Sequence, residues 1–274
     1  MMPLTCDRTE SDQAARRQAI DGRDALQADR PGFTLIEVLV VVAVVALLVA
    51  ILLPSLARAR GQARGVTCLS NLRQMAVAAH TYTQSHRERY PIAYAFSVHE
   101  STFTSYAWDF TSTRDWSGGG SRVVAGLLWQ GGADKDVQQC PSFRGTSNWQ
   151  EDPRTGYNYN TSYIGHGTAE SIVEPARAGD VRMPFRCALF GDGEYADGAN
   201  KFMRAPWKNP GDDSFTGRYS GTQGFRHAER TNVAFCDGHA EPRAQRFDDT
   251  YAADQAMIAP GTGFLSKDNG AYGG

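Results

Sequence analysis

The longest apolar run of the chain covers residues 33–53 and contains a single charged residue. Between Leu35 and Leu53 every residue except Glu37 is apolar. A helix over residues 33–53 would extend about 31 Å at 1.5 Å per residue, close to the roughly 30 Å hydrocarbon core of a bilayer. The pattern therefore predicts one membrane-spanning helix. Pro54 follows directly and predicts a kink or an end to that helix.

A second helical pattern begins after Pro54. Apolar residues recur there at spacings of three and four, as on one face of an amphipathic helix. They are Val66, Leu69, Leu72, Ala76, Ala79 and Tyr82. Gly61 and Gly65 weaken the start of this helix, and Tyr90-Pro91 is expected to end it. Its apolar face is predicted to pack on a globular domain.

Beyond residue 90 the chain has short runs of β-forming residues, separated by glycine-rich turns. These runs cover residues 157–164, 185–190, 232–236 and 239–242. Residues 100–122 are predicted to be a loop and residues 193–222 a long polar insertion. The tail from Asp248 is rich in Ala and Gly, so it is predicted to be flexible. Together the patterns predict an α+β fold, with a long N-terminal helix on a small antiparallel sheet with long loops.

The overall composition excludes some classes of function. The 274 residues suit one membrane segment and one soluble domain of roughly 180–200 residues. A net charge of −2 argues against a nucleic-acid partner, which would require a basic patch or stripe. The sequence has no P-loop, no nucleophile elbow, no CxxC pair and no dinucleotide-binding glycine motif. Ordinary enzyme classes therefore have no support, and the chain is not expected to be an enzyme.

The start of the apolar run carries a specific string, Gly-Phe-Thr-Leu-Ile-Glu at residues 32–37. This string resembles the N-terminus of type IV prepilins and type II secretion pseudopilins. The resemblance implies that a prepilin peptidase cuts between Gly32 and Phe33 and methylates Phe33. It further implies that Glu37 contacts the terminal amine of a neighbouring subunit during filament assembly. An ionisable residue within a membrane segment costs about 2.5 kcal/mol or more, so a functional role for Glu37 is expected.

Other interpretations of the N-terminal segment remain open. Ala57-Arg58-Ala59 offers the cleavage site of an ordinary signal peptide, but the apolar run is too long for one. Residues 1–30 hold five Arg against six Asp and Glu, so the leader is not basic. A plain membrane anchor would explain the length of the run but not Glu37. The arginines after the span would face the cytoplasm by the positive-inside rule, opposite to the topology that the resemblance implies.

A second string lies near the C-terminus, where His227 precedes Asp237-Gly238 by ten residues. With Cys-Leu-Ser-Asn-Leu-Arg-Gln at 68–74 and Cys-Pro-Ser at 140–142, it resembles a family of prepilin-like proteins with a C-terminal H-x9-DG signature and no established activity. The resemblance implies a fold and a location, but no catalytic residue. Asp237-Gly238 lies between two short strands and predicts a hairpin with a two-residue type I′ turn.

The cysteines permit disulfides in an exported domain. Cys6 would leave with the leader, and Cys68, Cys140, Cys187 and Cys236 would remain. Four cysteines allow three pairings, and buried free thiols are an equal alternative. Cys187 and Cys236 lie in similar apolar runs and are predicted to be neighbours in one sheet.

Two sets of residues are candidate metal ligands. Residues His227, Asp237 and His239 offer metal-binding side chains, although a hydrogen-bonding role for His227 is preferred. The glycine-rich loop at residues 191–198 holds three carboxylates, which suit calcium or form a solvated acidic loop. These carboxylates are Asp192, Glu194 and Asp197. No other cofactor is expected.

These inferences define five segments and one function. The segments are a leader (1–32), a transmembrane and filament-core helix (33–54), an amphipathic helix (55–90), a globular domain (91–247) and a flexible tail (248–274). The resemblance implies a structural subunit of a pilus-like or secretion filament, whose partners are the peptidase, other subunits and an inner-membrane assembly platform. It implies a single-pass protein with its domain in the periplasm or on an extracellular filament. The alternative is a membrane-tethered periplasmic binding or enzymatic domain, which a pocket lined by Asp192, Asp197 and Asp237 would favour.

Overall fold

The computed structural model describes residues 32–129, 135–147, 156–166, 174–196, 198–209 and 217–274. Contacts divide the chain into two compact units, with the boundary between Ser55 and Leu56. The long helix α1 (Leu35–Ser85) contributes residues to both units.

The described part of the first unit is the apolar start of α1. Every side chain from residue 32 to Ser55 is exposed, although most are apolar. By length and composition, α1 is the one helix in the described part of the chain that could cross a membrane. The sequence allowed the helix to end at Pro54, but α1 continues through this residue. The Ser55 hydroxyl, next to Pro54, donates to the carbonyl of Leu52 at 2.8 Å.

In the second unit, α1 buries one face against the rest of the domain. The buried residues are Cys68, Asn71, Leu72, Met75, Ala76, Ala79 and Thr83. The apolar pattern predicted three of these seven residues, Leu72, Ala76 and Ala79. Of the other predicted positions, Leu69 and Tyr82 are half-buried and Val66 is 69% exposed. The face instead includes the polar residues Cys68 and Asn71, which a pattern of apolar residues alone does not reveal. A buried polar side chain must find partners, so this end of the face is where a site is expected.

The helix ends at Ser85, five residues before the predicted end. Arg87 and Glu88 have positive φ angles of 55° and 64°, a left-handed conformation that cannot continue an α-helix. Tyr90 then donates its backbone N–H to Ala176, so the chain has already joined the rest of the domain.

A four-stranded antiparallel sheet occupies the segment predicted to be a loop. Its strands pair in chain order. They are β1 (Tyr94–His99), β2 (Thr102–Ala107), β3 (Phe110–Asp115) and β4 (Gly120–Ala125). The prediction was wrong because these strands are rich in Ser and Thr and are mostly half-buried or exposed, so they lack a clear apolar alternation. The aromatic rings of Phe96, Phe103 and Trp116 stack in sequence along the sheet.

The central sheet has five strands in the order β12-β11-β7-β6-β9. Pairing is antiparallel except between β6 and β9. Four of these strands lie within the predicted runs or overlap them, which confirms the α+β fold. The strands are β6 (Asn158–Asn160), β7 (Ala188–Gly191), β9 (Phe202–Met203), β11 (Thr231–Phe235) and β12 (Ala240–Arg243).

The remaining elements are short. Two-residue strands form two further pairs, β5 with β8 and β10 with β13. They are β5 (Thr146–Ser147), β8 (Gly198–Ala199), β10 (Gln223–Gly224) and β13 (Thr262–Gly263). The short helices are α2 (Lys135–Gln138) and α3 (Ala252–Gln255), and 3₁₀ turns lie at Leu127–Trp129, Ala178–Asp180 and Arg218–Gly221. The expected polar insertion is therefore partly structured, and Met203 within it is fully buried.

Both faces of the central sheet are covered. On β11, Ala234 belongs to a core cluster with Leu72 and Met75 of α1, while Val233 and Phe235 belong to a second cluster. The second cluster includes Leu265, Ala271 and Tyr272 from the C-terminal segment. The segment after residue 247 is thus packed against the domain, contrary to the flexible tail expected from its Ala and Gly content. A few large side chains anchor it, since Phe264 and Tyr272 are fully buried.

The hairpin predicted at Asp237-Gly238 is present between β11 and β12. Gly238 has a φ of 92°, whereas Asp237 is not among the residues with positive φ. Gly238 donates its N–H to the carbonyl of Phe235, and Phe235 donates to the carbonyl of His239, both at 2.9 Å. The turn is therefore wider than the predicted type I′ turn. It has the form of a tight turn followed by a left-handed glycine.

Candidate functional site

The predicted cleavage site lies just before α1. Gly32, Phe33 and Thr34 are exposed and precede the helix, which begins at Leu35. Phe33 is 82% exposed. A peptide bond outside a helix and open to solvent is accessible to a protease.

Glu37 caps the start of α1 through Thr34. Its Oε2 accepts hydrogen bonds from the Thr34 backbone N–H and the Thr34 hydroxyl, both at 2.8 Å. The Thr34 hydroxyl in turn accepts the Glu37 N–H at 3.3 Å. This reciprocal arrangement is a capping box, which satisfies backbone donors that a helix start leaves unpaired. The pattern Thr-x-x-Glu was visible in the sequence, but the sequence analysis assigned Glu37 to assembly alone.

A second candidate site lies inside the globular domain, where four side chains with metal-binding atoms meet. One ligand atom from each lies within 4.8 Å of all the others, and all four residues are buried. We call this set the buried cluster, and its members are Cys68, Cys140, Asp192 and His227.

The members of the buried cluster come from four separate segments. Cys68 lies on the buried face of α1, and Cys140 lies two residues after α2. Asp192 follows the last residue of β7, and His227 lies in the connection between β10 and β11. Because β7 and β11 pair side by side, the ends of these strands bring Asp192 and His227 together. Each of the four residues is a candidate in the sequence, but no local pattern joins them.

The distances within the buried cluster are short. Cys68 donates from Sγ to Asp192 Oδ1 at 3.0 Å, and His227 Nε2 lies 3.2 Å from Asp192 Oδ2. Cys140 Sγ lies 3.7 Å from the same nitrogen of His227. The other ring nitrogen, Nδ1, is buried and has no hydrogen-bond partner among the described residues.

Two further residues donate hydrogen bonds to the buried cluster. Arg226 places Nη2 3.1 Å from Asp192 Oδ1 and donates from Nε to Cys140 Sγ at 3.4 Å. The backbone N–H of Asn232 donates to Asp192 Oδ2 at 2.7 Å. Asp192 is completely buried, so these donors offset the cost of removing its charge from water.

The hydrogen bonds shift the pKa values of the cluster in opposite directions. The neighbouring thiol of Cys68 lowers the pKa of Cys140 to about 5, and His227 adds to this effect against the opposing effect of burial. Burial raises the pKa of Cys68 well above its usual value. Burial alone would lower the pKa of His227, but hydrogen bonds to Asp192 and Cys140 raise it to about 9. Burial likewise opposes the ionised form of Asp192, but Arg226 and His227 outweigh it and hold the pKa below its usual range.

The arrangement differs from a nucleophilic cysteine triad. In such a triad the base contacts the nucleophile through one ring nitrogen and the orienting carboxylate through the other. Here Nε2 of His227 contacts both Cys140 and Asp192. The cluster is also buried, so a substrate has no direct access to the Cys140 sulfur.

The two described carboxylates of the candidate calcium loop contact Arg226 instead of a shared cation position. Asp192 faces the interior as part of the buried cluster, and Glu194 pairs with Arg226 at 3.0 Å. Asp197 lies outside the described residues. The sequence pattern was misleading because the end of β7 carries Asp192 inward, where its partners are sulfur, nitrogen and an arginine.

The candidate metal ligands His227, Asp237 and His239 also do not meet. His227 belongs to the buried cluster, whereas Asp237 and His239 bond to each other at 2.6 Å on the exposed hairpin. Asp192 contacts the Asn232 amide near the start of β11, and Asp237 follows the end of the same strand. No common carboxylate pocket therefore joins these described aspartates.

The other two cysteines are neighbours, as predicted. Cys236 donates its backbone N–H to Cys187 at 2.9 Å, and its side chain contacts the Cys187 side chain. All four cysteines of the described chain are buried free thiols in this structure. The possible disulfides are thus narrowed to two neighbouring pairs, Cys68 with Cys140 and Cys187 with Cys236.

Gly65 is a residue whose role the sequence analysis missed. A Cβ atom at this position would lie 3.5 Å from His227 Nδ1, and the Gly65 carbonyl accepts a hydrogen bond from Asn232 at 3.1 Å. A methyl group would fit at this distance, so only a side chain larger than that of alanine would press on the loop that carries His227. Its place one turn before Cys68 was the available clue.

Comparison with known proteins identifies one match. The family model of the prokaryotic N-terminal methylation motif matches residues 28–53, which include Gly32, Phe33 and Glu37. No curated protein and no solved structure matches the chain. The N-terminus thus carries a prepilin-type methylation motif, which supports a pilin-like protein with a single-pass membrane anchor.

Proposed function

We propose that the chain is a structural subunit of a pilus-like or secretion filament. In this proposal a prepilin peptidase cleaves between Gly32 and Phe33 and methylates Phe33. The observation that carries the proposal is the methylation motif over residues 28–53, which includes the apolar start of α1 with its exposed side chains. An exposed apolar face of this size requires a lipid or protein environment.

The exposed start of α1 supports both membrane insertion and assembly. Its side chains from Leu35 to Leu53 suit the hydrocarbon core before assembly and helix packing afterwards. Cleavage would leave the ammonium group of Phe33 near the carboxylate of Glu37. Opposite charges offset much of each other's cost in a membrane, so an amine of a neighbouring subunit would favour one axial position.

The globular domain is proposed to have a structural role. Its described aspartates do not line a common pocket, because Asp192 is buried and Asp237 lies on the exposed hairpin. The condition that would favour a tethered binding or enzymatic domain is therefore not met by these residues. We place the domain on the outer side of the inner membrane, where it would be displayed by the filament.

Intact-mass analysis of the membrane-extracted protein tests this proposal. We expect a chain that begins at Phe33 and carries one added methyl group. Gly32→Arg should leave the leader attached, because the peptidase requires a small residue at the cut. Gly61→Arg is the matched control, since Gly61 is exposed on the helix with open space around it. A mature chain that begins after Ala59 would refute the proposal in favour of an ordinary signal peptide.

A further inference from the structure

The buried cluster combines two sulfurs, one nitrogen and one carboxylate around a common centre. This ligand set matches the preferences of zinc, which binds cysteine, histidine and aspartate in tetrahedral sites. Calcium and magnesium instead require six or more ligands, nearly all oxygen. We propose that the buried cluster is a closed, structural zinc site. This inference concerns the globular domain and does not depend on the proposed function.

The spacing of the donor atoms supports four-coordinate binding. In a tetrahedral zinc site with bonds of about 2.0–2.3 Å, neighbouring ligand atoms lie about 3.3–3.8 Å apart. The contacts of Asp192 with Cys68 and His227 measure 3.0 and 3.2 Å, and Cys140 lies 3.7 Å from His227. The two Asp192 contacts use different carboxylate oxygens, and the four ligand atoms lie within 4.8 Å of one another, so side-chain shifts of up to about an ångström would bring them to the spacing of a zinc tetrahedron.

The charges around the cluster balance when zinc is bound. Zinc binding requires both cysteines as thiolates and His227 as the neutral imidazole, so the thiol protons and the proton of His227 Nε2 leave to solvent and the lone pair of Nε2 binds the ion. A zinc dication with two thiolates and one carboxylate then carries a net charge of −1. The guanidinium of Arg226 contacts both Asp192 and Cys140, so it neutralises this charge within the buried site. Glu194 also pairs with Arg226, but it is partly exposed and solvated.

Residues outside the ligand set hold the ligands in place. The Asn232 backbone N–H fixes Asp192 Oδ2, and the Asn232 side chain ties the same loop to Gly65 of α1. Partners of this kind orient metal ligands and commonly change metal affinity by about 10- to 100-fold when removed. These contacts orient Asp192, while Nδ1 of His227 has no such partner among the described residues.

Zinc binding would cross-link distant parts of the domain. Cys68 and Asp192 are 124 residues apart, and Cys140 and His227 are 87 residues apart. The ion would join α1, the segment after α2, the end of β7 and the loop before β11. Because the ligands are brought together only in the folded domain, the free energy of zinc binding adds to the free energy of folding. All four positions are filled by protein, as in structural rather than catalytic zinc sites.

A disulfide between Cys68 and Cys140 is the competing use of these sulfurs. It would remove both thiolates from the ligand set and leave Asp192 with His227 and Arg226. The two states are distinguished by the metal content and by the mass of the protein, since a disulfide makes the chain two hydrogens lighter.

The test uses the full chain, purified in detergent from cells grown with zinc and exchanged into metal-free buffer. Elemental analysis should find about one zinc per chain. Cys140→Ser and His227→Gln should reduce this to below about a tenth of an ion. Cys236→Ser is the matched control, because it removes a buried thiol from the other cysteine pair, and it should keep the zinc.

A second measurement uses the unmodified chain, so it tests the proposal even if the variants fail to fold. X-ray absorption at the zinc edge of the unmodified chain should show two sulfur and two nitrogen or oxygen ligands, and cobalt substitution should give tetrahedral bands with sulfur charge transfer. Zinc bound without sulfur would overturn the proposal. So would a chain that stays metal-free after incubation with zinc, a Cys68–Cys140 disulfide, or loss of zinc in Cys236→Ser but not in Cys140→Ser.

Discussion

Thr34 and Glu37 cap the first turn of α1 reciprocally, with three hydrogen bonds between them. Glu37 therefore has a local partner in its own helix, in addition to the inter-subunit role proposed for it. The two roles make different demands on the side chain. A capping box accepts glutamine in place of glutamate, whereas a pair with a terminal amine requires the negative charge.

Glu37→Gln should separate these roles. We expect normal insertion into the membrane, because the cap remains and the helix loses a charge. Filament incorporation should fall about tenfold, corresponding to about 1.4 kcal/mol, since the ion pair with the neighbouring amine is lost. Thr34→Ala should have the opposite profile, with a weaker cap costing about 0.5–2 kcal/mol but near-normal assembly.

Filament yield and crosslinking between subunits measure assembly, and the amount of protein in the membrane fraction is the control for insertion. Normal assembly of Glu37→Gln together with poor assembly of Thr34→Ala would assign Glu37 to the cap alone.

The glycine of the hairpin should be sensitive to substitution because of its backbone conformation. Gly238 has a φ of 92°, and a Cβ atom there would meet only His80, at an acceptable 3.6 Å. Gly238→Val should therefore lower the free energy of unfolding by about 1–3 kcal/mol through strain rather than crowding. Gly238→Asn should cost less, because asparagine tolerates left-handed backbone. Denaturant unfolding of the full chain in detergent measures both, and an equal cost for Asn and Val would contradict this explanation.

The parts of the fold that follow an apolar period were predictable from sequence. The helix α1 and the strands β7 and β11 bury several apolar positions each, whereas β6 and β12 overlap predicted runs but bury one apolar residue each, Tyr159 and Ala240. The strands β1–β4 were missed because Ser and Thr occupy many of their positions, including the buried pair Ser105 and Ser112, so the sequence shows no apolar alternation. The C-terminal segment was missed because its role depends on a few large residues such as Phe264 and Tyr272, not on its average composition.

The sequence pointed to the members of the buried cluster one at a time, but it did not predict that they meet. Cys68, Cys140 and His227 each stood in a separate string of the sequence, and no short spacing such as CxxC joins them. Asp192 was grouped with Glu194 because they are close in sequence. Its true partners follow from the pairing of β7 with β11 and from the face of α1 that is buried. Neither can be read from a local pattern.

Substitution of Gly65 should destabilise the domain more than substitution of Gly61, although both are glycines of α1. A side chain at Gly65 would meet His227, whereas Gly61 has open space around it. Gly65→Leu is therefore expected to lower the free energy of unfolding by about 1–3 kcal/mol, as overpacking typically does. Gly61→Leu should be neutral or raise stability by up to about 1 kcal/mol, because leucine favours helix more than glycine does. Equal effects would show that the loop carrying His227 does not pack closely on α1.

Any disulfide that forms in the exported domain is expected to join Cys187 and Cys236. Their side chains are in contact at the ends of paired strands, while Cys68 and Cys140 are proposed to hold zinc. Peptide mapping of oxidised, zinc-loaded protein should find only the Cys187–Cys236 crosslink. The crosslink should stabilise the domain by about 2–4 kcal/mol. Cys236→Ser should abolish it, and a crosslink to Cys68 or Cys140 would contradict the assignment.

The pH dependence of the metal-free chain should reveal opposing contributions from Cys140 and His227. The pKa of His227 is raised to about 9, so its contribution to stability is complete below its ordinary value of 6.5 and is lost as the pH rises through 9. The pKa of Cys140 is lowered from 9 to about 5, so its contribution is present above 9 and is lost as the pH falls through 5. Between pH 6.5 and 9 the two contributions change in opposite directions, and stability should vary little.

Cys140→Ser should expose the contribution of His227. Because Asp192 still holds the imidazolium, the free energy of unfolding should fall by about 1–2 kcal/mol between pH 6.5 and 9. Denaturant unfolding with a chelator present, at a series of pH values, measures this slope. The double variant Cys140→Ser, His227→Gln should lose this slope, since no histidine with a raised pKa remains in the cluster. A slope that persists in the double variant, or that rises with pH in Cys140→Ser, would show that His227 is not the group responsible.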